Sequence, residues 1–534
     1  MPRSVLLRDL PHTFRIRRTG PLLWPACRAL LAMIVPLGVL LVLDRLDLVA
    51  AAVFGALTSV YSRNDPYRRQ LRTLAAVGVG MVLAVTVGDL VAVTVGGSAA
   101  HVVVALLATA LVGALATMAC TAVGAGAPGG LMFAFATGAC AHLPLSAGDL
   151  PAHLGIAVAS AALAWTVSYA GARVRGLKPQ REAVARALEA TAAHLDSPAG
   201  LETRHRAAVA VDRAMNCVAE AGTRHRASAE LVALTRAVAT CESVLVEGEP
   251  HEPDPASLRR FAHAVRRGVP PHPTAEGEPT EPFPRALPES RGRTLRELGV
   301  AALRPGRHPS AWLLPYAARV GVAAFAAGVL THLVGIGHAY WAAVSAVSVL
   351  QATSTSTSVP RMVQRVAGTV FGALLGLALL GAHPAAWAVV LLIALLQWGA
   401  EMTVTVNYAF GLFFATPVAL LVSALGSSAP PHELVADRTG ATLVGAAVAV
   451  LVARLAPKRA WLSRVELALS EVRRLAAAER PDPARLRAAL LELHEAYDIA
   501  AGEVPAERLP TEELLTVSHH AYRVLDGREP ALGG

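Results

Sequence analysis

The feature that most constrains this chain is the concentration of its apolar residues in two blocks, 22–173 and 312–455. Each block contains runs of about 20 predominantly apolar residues, the length that an α-helix needs to cross the hydrocarbon core of a bilayer. Only 16% of the 534 residues are charged, whereas soluble domains carry about 25%. The pattern therefore predicts an all-α, polytopic helical membrane protein.

Six apolar segments can be drawn in each block. They are 22–43, 48–62, 72–95, 101–122, 128–145, 151–172, 312–333, 338–352, 362–382, 384–401, 407–426 and 434–455. The second and eighth segments are short for a full crossing, so we expect each to be tilted, broken or partly inserted. The first segment follows several arginines, as a signal peptide would, but it has spanning length and lacks a small-x-small cleavage site. We interpret it as an uncleaved first helix.

Basic residues gather at one set of segment ends. They are Arg3, Arg8, Arg15, Arg17 and Arg18 before the first segment, Arg63, Arg68 and Arg69 after the second, Arg173, Arg175 and Lys178 after the sixth, Arg361 and Arg365 after the eighth, and Arg454, Lys458 and Arg459 after the twelfth. Cytoplasmic loops of membrane proteins are enriched in lysine and arginine. The pattern therefore predicts a multi-pass protein of the cell membrane with both termini and the middle region in the cytoplasm.

The regions outside the two blocks predict cytoplasmic domains. Residues 1–21 form an N-terminal tail, and 174–300 contains amphipathic helical patterns. Within that region, 270–290 is rich in proline and glutamate and has too few apolar residues to pack, which is typical of a flexible linker. Residues 459–534 predict a C-terminal helical domain, because helical patterns continue there between prolines.

The chain also repeats itself. The string FAT occurs at 135–137 and again at 414–416, and Arg28 and Arg319 occupy similar places in the first and seventh segments. An even number of segments gives both copies the same orientation. We therefore predict two parallel repeats, each with six transmembrane helices and a cytoplasmic helical domain, about an axis along the membrane normal.

Four strings in the second block carry a family resemblance. They are GHAYWAAVSAVSVLQ at 337–351, PRMVQRVAGTVFGALLG at 360–376, NYAFGLFFAT at 407–416 and ADRTGATLVGAAVAVLVARL at 436–455. In this order they closely resemble the fusaric acid resistance protein-like family, which includes aromatic acid exporters. The first block matches this pattern poorly, since Ala51 stands opposite Trp341 and no Asp-Arg pair begins the sixth segment.

The resemblance implies an inner-membrane exporter or permease for small organic, often aromatic, acids, which would confer tolerance to them. Plant malate channels look distantly related; their subunits have six spans and a cytoplasmic helical domain, and this chain would correspond to two subunits fused. Gram-negative exporters of the family are often paired with a periplasmic adaptor, but nothing in this sequence indicates one. Three hypotheses stay open: a secondary exporter energised by the membrane potential or by protons, a passive anion channel, and a non-transporting scaffold.

Two arginines lie about two turns inside apolar segments. Arg28 and Arg319 could extend to the lipid headgroups. Alternatively, the repeat could bring them together near the axis as a paired guanidinium site for a substrate carboxylate, which arginine binds in bidentate fashion. The family resemblance adds Trp341, Asn407 and Tyr408 as candidate pathway residues, although aromatic residues near span ends are also typical of the interfacial belt.

Asp437 and Arg438 begin the twelfth segment. Adjacent residues of a helix do not share a face, so we expect each to contact other helices, either for structural pairing or for gating and proton coupling. Asp89, Glu401 and His338 are further candidates for protonation, but their places near span ends favour solvated groups. Gly368, Gly372 and Gly376 form a small-x-x-x-small ladder, which predicts close helix packing.

A strip of alternating threonine and serine, 353–358, precedes Pro360 and two arginines. We expect Ser358 to cap the ninth segment and Pro360 to lie in its first turn. A helix N-terminus beside Arg361 and Arg365 attracts anions, so this place is a candidate cytoplasmic anion entry. The alternative is a polar turn with arginines that only set the topology.

No string in the sequence indicates an enzyme: Walker A, HExxH and GxSxG motifs are absent. The five cysteines are odd in number and lack C-x-x-C spacing, so we expect packing residues, with no disulfide framework, metal or cofactor. The net charge of +9 lies at segment ends and not in an aromatic-studded patch, which argues against a nucleic-acid partner. The expected partners are a small organic anion and the lipid bilayer; a homo-oligomer is compatible with the sequence.

Overall fold

The computed structural model describes residues 23–63, 65–197, 201–221, 229–245, 254–268, 313–351, 355–425, 429–455, 459–503 and 508–525. Every regular element in these ranges is a helix, which confirms the predicted all-α fold class for this part of the chain. The chain divides into two compact units. One comprises Met1–Arg63, Leu71–Gly171 and Arg293–Pro457, here called the membrane unit, and the other comprises Asn64–Gln70, Ala172–Gly292 and Lys458–Gly534, here called the polar-helix unit.

The helices follow in four groups along the chain. The first block holds α1 (Leu23–Val42), α2 (Val49–Ala56), α3 (Tyr67–Val95), α4 (His101–Ala122), α5 (Leu131–Cys140) and α6 (Leu150–Arg175). The middle region holds α7 (Lys178–Leu195), α8 (Leu201–Ala219), α9 (Ala229–Val244) and α10 (Pro255–Arg267). The second block holds α11 (Leu313–Leu333), α12 (Tyr340–Leu350), α13 (Thr355–Gly381), α14 (Ala386–Thr403), α15 (Tyr408–Leu425) and α16 (Pro431–Leu455). The C-terminal region holds α17 (Arg459–Ala476), α18 (Pro483–Glu503) and α19 (Thr511–Leu525).

Nine helices in the described ranges are long and apolar enough to cross a membrane: α1, α3, α4, α6, α11, α13, α14, α15 and α16. One face of α4 illustrates why. Val103, Leu107, Leu111 and Leu115 recur every four residues and are 45–59% exposed, so they form an apolar stripe that suits contact with lipid acyl chains. The chain is a multi-pass membrane protein.

The second and eighth segments are short helices, as predicted from their lengths. The second segment is a single short α-helix, α2, between two 3-10 turns, and the eighth is the eleven-residue α12. Every residue of both helices is buried. Because protein surrounds them on all sides, their backbone groups do not face lipid and their length need not match the bilayer.

The fifth segment differs from the prediction. We expected an apolar span over 128–145, but α5 covers only ten residues. Gly124, Gly126 and Gly129 precede it with φ angles of 65°, 70° and 54°. Residues with a side chain rarely adopt this conformation, so the chain winds through turns here and does not extend the helix. In the second block the corresponding helix, α15, is 18 residues long.

The membrane unit is held together by reciprocal helix pairings between the blocks. The first helix of each block packs against the fourth helix of the other: α1 against α14, and α11 against α4. The short α12 packs against α5 as well as against α11 and α16 of its own block. Such a reciprocal pattern is what parallel repeats about one axis produce, although the full repeat arrangement stays a prediction.

The glycine ladder in α13 packs closely against α15, as predicted. A Cβ atom at Gly372 would lie 2.8 Å from the carbonyl oxygen of Phe413, and Cβ atoms at Gly368 and Gly376 would also meet atoms of α15. A Cβ atom cannot approach a carbonyl oxygen this closely without a shift of the backbone. The absence of side chains therefore sets the spacing between these two helices.

The polar-helix unit is tied together by buried polar contacts. The Tyr522 hydroxyl donates to Asp212 at 3.2 Å and links α19 to α8. Burial raises the pKa of Tyr522 well above its usual value, so the phenol remains a hydrogen-bond donor at neutral pH. Arg487 donates to both carboxylate oxygens of Glu242 at 2.9 and 3.0 Å and links α18 to α9. The middle and C-terminal regions, which we predicted as separate domains, thus fall in one unit.

Candidate functional site

Two arginines of α13 meet one tyrosine of α15. The Arg365 Nη1 group donates to the Tyr408 hydroxyl at 2.9 Å and to Ser348 Oγ at 2.8 Å. Ser348 Oγ and the Tyr408 oxygen are themselves 2.6 Å apart. The Arg361 Nε group donates to the Ser348 carbonyl at 3.0 Å, and its guanidinium carbon lies 4.4 Å from the centre of the Tyr408 ring. These four residues are called the arginine–tyrosine cluster below.

Local helix geometry builds this cluster. Arg361 and Arg365 are four residues apart in α13, so they share one face of the helix. Asn407 precedes α15 and its side-chain oxygen accepts a hydrogen bond from the Ala409 backbone amide at 2.9 Å, which is the contact of an N-cap residue. Asn407 therefore holds the first turn of α15, and with it Tyr408, in place.

A third arginine, Arg438 of α16, lies against aromatic rings. Its guanidinium carbon is 5.1 Å from the centre of the Trp341 ring and 5.9 Å from that of Phe135, within the range of cation–π contacts. Arg438 is 4% exposed and Trp341 is fully buried. Neither Nε nor Nη1 of Arg438 has a hydrogen-bond partner among the described residues.

Buried carboxylates of the membrane unit bind other groups. Glu401 forms a bidentate ion pair with Arg63, with N–O distances of 2.7 and 2.9 Å. In the described part of the chain, Arg361, Arg365 and Arg438 have no ion pair with an acidic residue. Arg365 also lies within coulombic range of Arg438. The membrane unit therefore contains a buried region of positive charge that its own carboxylates do not neutralise.

Asp437 and Arg438 point to different neighbours, as expected for adjacent helical residues. Asp437 accepts hydrogen bonds from the Gly337 amide at 3.0 Å and contacts His338 Nδ1 at 2.8 Å. The His338 ring stacks on Trp341, with centroids 4.7 Å apart and planes inclined by 18°. Asp437 thus positions His338 on the Trp341 ring, and Arg438 lies over the same indole.

A row of rings connects this region with a cavity. Tyr340 lies 5.6 Å from Trp341 and 5.0 Å from His142, and His142 lies 5.4 Å from His101, measured between ring centroids. The two histidines line a cavity of about 330 Å³. The row extends from the cavity to Trp341, the ring on which Arg438 lies.

The two arginines predicted as a pair make contacts in their own blocks. Arg28 is fully buried and donates to the backbone carbonyls of Ser59 and Tyr61 at 2.5 and 2.9 Å. Arg319 lies 5.5 Å from the ring of Tyr316 in the same helix. Backbone carbonyls of the same block therefore accept N–H groups of Arg28. The paired guanidinium site stays a prediction.

The expected cap at Ser358 is wrong. The helix α13 begins at Thr355, so Ser358 is its fourth residue and Pro360 its sixth. From Thr355 the strip is helical and Pro360 lies in the second turn, because the helix begins three residues before Ser358. The side chain of Ser358 and residues 352–354 lie outside the described part of the chain.

The expectation of solvated groups near span ends is also wrong for Asp89 and Glu401. Asp89 is fully buried and Glu401 is 3% exposed, and His338 is held between Asp437 and Trp341. These carboxylates are covered because groups from distant segments contact them: His153 at Asp89 and Arg63 at Glu401. Sequence reasoning missed Ser348, His101 and His142. The signal available for Ser348 was a polar residue in an otherwise apolar run; none marked the histidines.

Comparison with known proteins supports the resemblance found in the second block. Residues 323–452 match the profile of a family described as fusaric acid resistance protein-like. The match contains Trp341, Arg365, Tyr408 and Arg438, the residues that the structure groups together. The chain is also 32% identical over 199 residues to the uncharacterized membrane protein YvaC of Bacillus subtilis (strain 168). This alignment covers 35% of the chain and 31% of the relative, so the chain spans about a third of that relative's length. No solved structure matches the chain.

Proposed function

We propose that this protein exports small aromatic or other organic anions across the cell membrane by a secondary mechanism, with both termini in the cytoplasm. The observation that carries the proposal is the buried positive charge of Arg365 and Arg438, which no carboxylate of the described residues neutralises. A buried charge without a counter-charge is costly in a membrane protein. A substrate anion passing between these groups would supply the missing negative charge.

The groups around the arginines suit an aromatic acid. Trp341 offers an indole N–H near Arg438, and Tyr408 offers a hydroxyl beside Arg365. A carboxylate can accept hydrogen bonds from guanidinium and indole donors, while its ring stacks against the flat faces of nearby aromatic residues. A family described by resistance to fusaric acid, itself an aromatic acid, is consistent with this substrate class.

The order of the groups suggests a direction of passage. Because positive-inside counting puts the loop after the eighth segment in the cytoplasm, Arg361 would meet the anion first, followed by Arg365 and then Arg438. The ring row from Trp341 to His142 would lead to the cavity on the other side. His338 and Asp437 lie beside this passage and are the candidates for proton coupling, since histidine changes charge near neutral pH.

The test is efflux of radiolabelled benzoate from proteoliposomes that contain the full-length protein. We expect R365Q and R438Q each to reduce the efflux rate by about 10- to 100-fold, the equivalent of losing a hydrogen bond to a charged group. R45Q is the matched control, because Arg45 is exposed and paired with Asp47 at the surface. Equal efflux from R365Q, R438Q and R45Q would contradict the proposal.

A second arm separates an exporter from a passive anion channel. A protonophore that collapses the proton gradient should abolish uphill benzoate efflux if transport is proton-coupled. Flux that follows only the membrane potential and the benzoate gradient would favour the channel. If the wild-type protein transports neither benzoate nor any member of a panel of phenolic and pyridine carboxylic acids, the result would favour a scaffold.

A further inference from the structure

A second group of buried polar side chains lies in the first block, apart from the three arginines. Asp89 of α3, Cys140 at the end of α5 and His153 of α6 each place one potential metal-ligand atom within 4.8 Å of the others. All three residues are fully buried. They are 51 and 13 positions apart along the chain, so their meeting is a product of tertiary packing.

The absence of a side chain at Gly88 brings the end of α5 onto α3. A Cβ atom at Gly88 would lie 2.7 Å from the Cβ atom of Cys140 and 2.7 Å from the carbonyl oxygen of Thr137. Thr137 also donates from its hydroxyl to the Ala84 carbonyl of α3 at 2.9 Å, which ties the two helices together. Cys140 is therefore held beside Asp89 by close helix contact.

Two polar atoms of the group have no hydrogen-bond partner in the described ranges. Asp89 Oδ2 lies 2.7 Å from His153 Nδ1, and the Cys140 thiol also hydrogen-bonds to Asp89. Asp89 Oδ1 and His153 Nε2 are buried and have no hydrogen-bond partner in the described ranges. Buried polar atoms nearly always have a partner, so two such atoms in one group point to a ligand.

A cavity at the surface lies near the buried group. The cavity of about 330 Å³ is lined by Ala92 and Val93, one turn after Asp89 in α3, and by His142 and Leu143, which directly follow the end of α5. The cavity wall thus continues the two chain segments that carry Asp89 and Cys140. Along α3 the cavity wall lies about one helical turn from Asp89.

We propose that Asp89, Cys140 and His153 bind one divalent transition-metal ion of the zinc type. The set of one sulfur, one nitrogen and one carboxylate oxygen donor suits Zn²⁺, whereas Ca²⁺ and Mg²⁺ take oxygen ligands. The charges also fit. A thiolate and a carboxylate together neutralise a divalent cation, which is the condition for placing that charge away from water. The thiol proton passes to solvent when the ion binds.

Three protein ligands leave one position of a tetrahedral ion free, the arrangement of sites that bind a water molecule or a further ligand. The open position faces no fourth protein donor in the described part of the chain, because the metal-capable group contains only these three residues. The ion would join the ends of three helices of the first block, α3, α5 and α6.

The test uses the full-length protein in detergent, stripped with a chelator and titrated with Co²⁺, whose bond to a thiolate gives a charge-transfer absorption band. We expect one Co²⁺ per chain with this band, displaced by Zn²⁺ but not by Mg²⁺ or Ca²⁺. C140S should lose the band. H153Q and D89N should each weaken Co²⁺ binding. The loss should exceed the factor of about 10 to 100 that follows when a residue supporting a metal ligand is removed.

C120S is the matched control, because Cys120 is also buried in the first block but belongs to no metal-capable group of the described residues. It should keep the band and the affinity. Size-exclusion elution and helical circular dichroism identify any variant that fails to fold. The proposal is overturned if the wild-type protein binds no Co²⁺, or if the C140S protein, folded by these criteria, gives the same band as C120S. Neither result depends on benzoate transport.

Discussion

The two blocks treat their buried charges differently. The arginine that follows the short helix of the first block, Arg63, is neutralised by both oxygens of Glu401. In the second block, Arg361 and Arg365 follow the short helix α12 and contact serine and tyrosine groups, while Arg438 lies on aromatic rings. Arg63 thus forms an ion pair, whereas the three arginines of the second block have no acidic partner among the described residues. Only the second arrangement leaves a place for an anion.

The difference also appears in the histidines. His153 of the first block is sealed with Asp89 inside the protein, and both are fully buried. The His338 side chain of the second block is 26% exposed; it stacks on Trp341 and contacts Asp437. The fully buried Asp89–His153 pair suits a ligand that stays bound. The Asp437–His338 pair lies near Arg438 and could change protonation when a substrate anion binds there. Under the proposed function, the three arginines would belong to the transport pathway, whereas the buried polar groups around Asp89 would have a structural role.

The largest effect should come from breaking the ion pair. E401Q removes the negative charge and leaves Arg63 buried without compensation, which typically costs about 3–5 kcal/mol. We expect a large fall in the thermal unfolding temperature in detergent, measured by intrinsic fluorescence. The double variant R63M/E401L should recover much of the loss, because it leaves neither charge unpaired. If E401Q unfolds at the wild-type temperature, the pair does not stabilise the unit.

Closing the helix contact in the second block should have the next largest effect. G372V inserts a side chain where Cβ would already lie 2.8 Å from the Phe413 carbonyl oxygen, and overpacking of this kind costs about 1–3 kcal/mol. G38V is the control in the first block, since nothing lies within 4 Å of a Cβ atom at Gly38. We expect a lower unfolding temperature for G372V than for G38V; the reverse order would mean that α13 and α15 are not closely packed.

Removing the uncompensated charge should act in the opposite direction from breaking the pair. R438M deletes a buried guanidinium that has no acidic partner in the described ranges, so the desolvation cost disappears. We expect the unfolding temperature to stay unchanged or to rise, by the equivalent of about 1 kcal/mol or more. Benzoate should raise the unfolding temperature of the wild-type protein but not that of R438M. If R438M lowers the unfolding temperature as much as E401Q does, Arg438 is not an uncompensated charge and the two blocks do not differ in this respect.

The smallest effect should come from the indole N–H. W341F keeps an aromatic ring beneath Arg438 but removes the indole N–H donor, and one hydrogen bond is worth about 1 kcal/mol, or about fivefold. We expect benzoate efflux to fall by that factor, with the unfolding temperature little changed. W387F is the control, because Trp387 is 63% exposed on the surface of α14. Equal efflux from both variants would remove Trp341 from the pathway.

Much of the fold was predictable because membrane helices are encoded locally. Apolar length identified the spanning segments, and the shortness of the second and eighth segments followed from the same measure. The fifth segment was predicted wrongly, since its apolar composition hid the glycine turns before Leu131. The Ser358 cap failed for a related reason: threonine and serine suit both a helix start and a helix interior, and only the backbone distinguished them.

The candidate site was predicted in part. Trp341, Arg365, Tyr408 and Arg438 were selected from strings in the second block, and the structure brings all four into one region. Their partners could not be assigned, since Ser348 and His338 reach them through helix packing. Asp89 was expected to be solvated, and its neighbours Cys140 and His153 were not connected with it.

The sequence by itself determined that the chain is a membrane protein, where the apolar segments lie and which block carries the family pattern. It could do so because hydropathy and short strings are properties of neighbouring residues. Only the tertiary structure decided which charges are compensated. Glu401 and Arg63 are 338 positions apart, and whether an arginine has a carboxylate beside it depends on how distant helices pack. The same packing decides that Asp89, Cys140 and His153 form a metal-capable group, although the spacing of the cysteines indicated none.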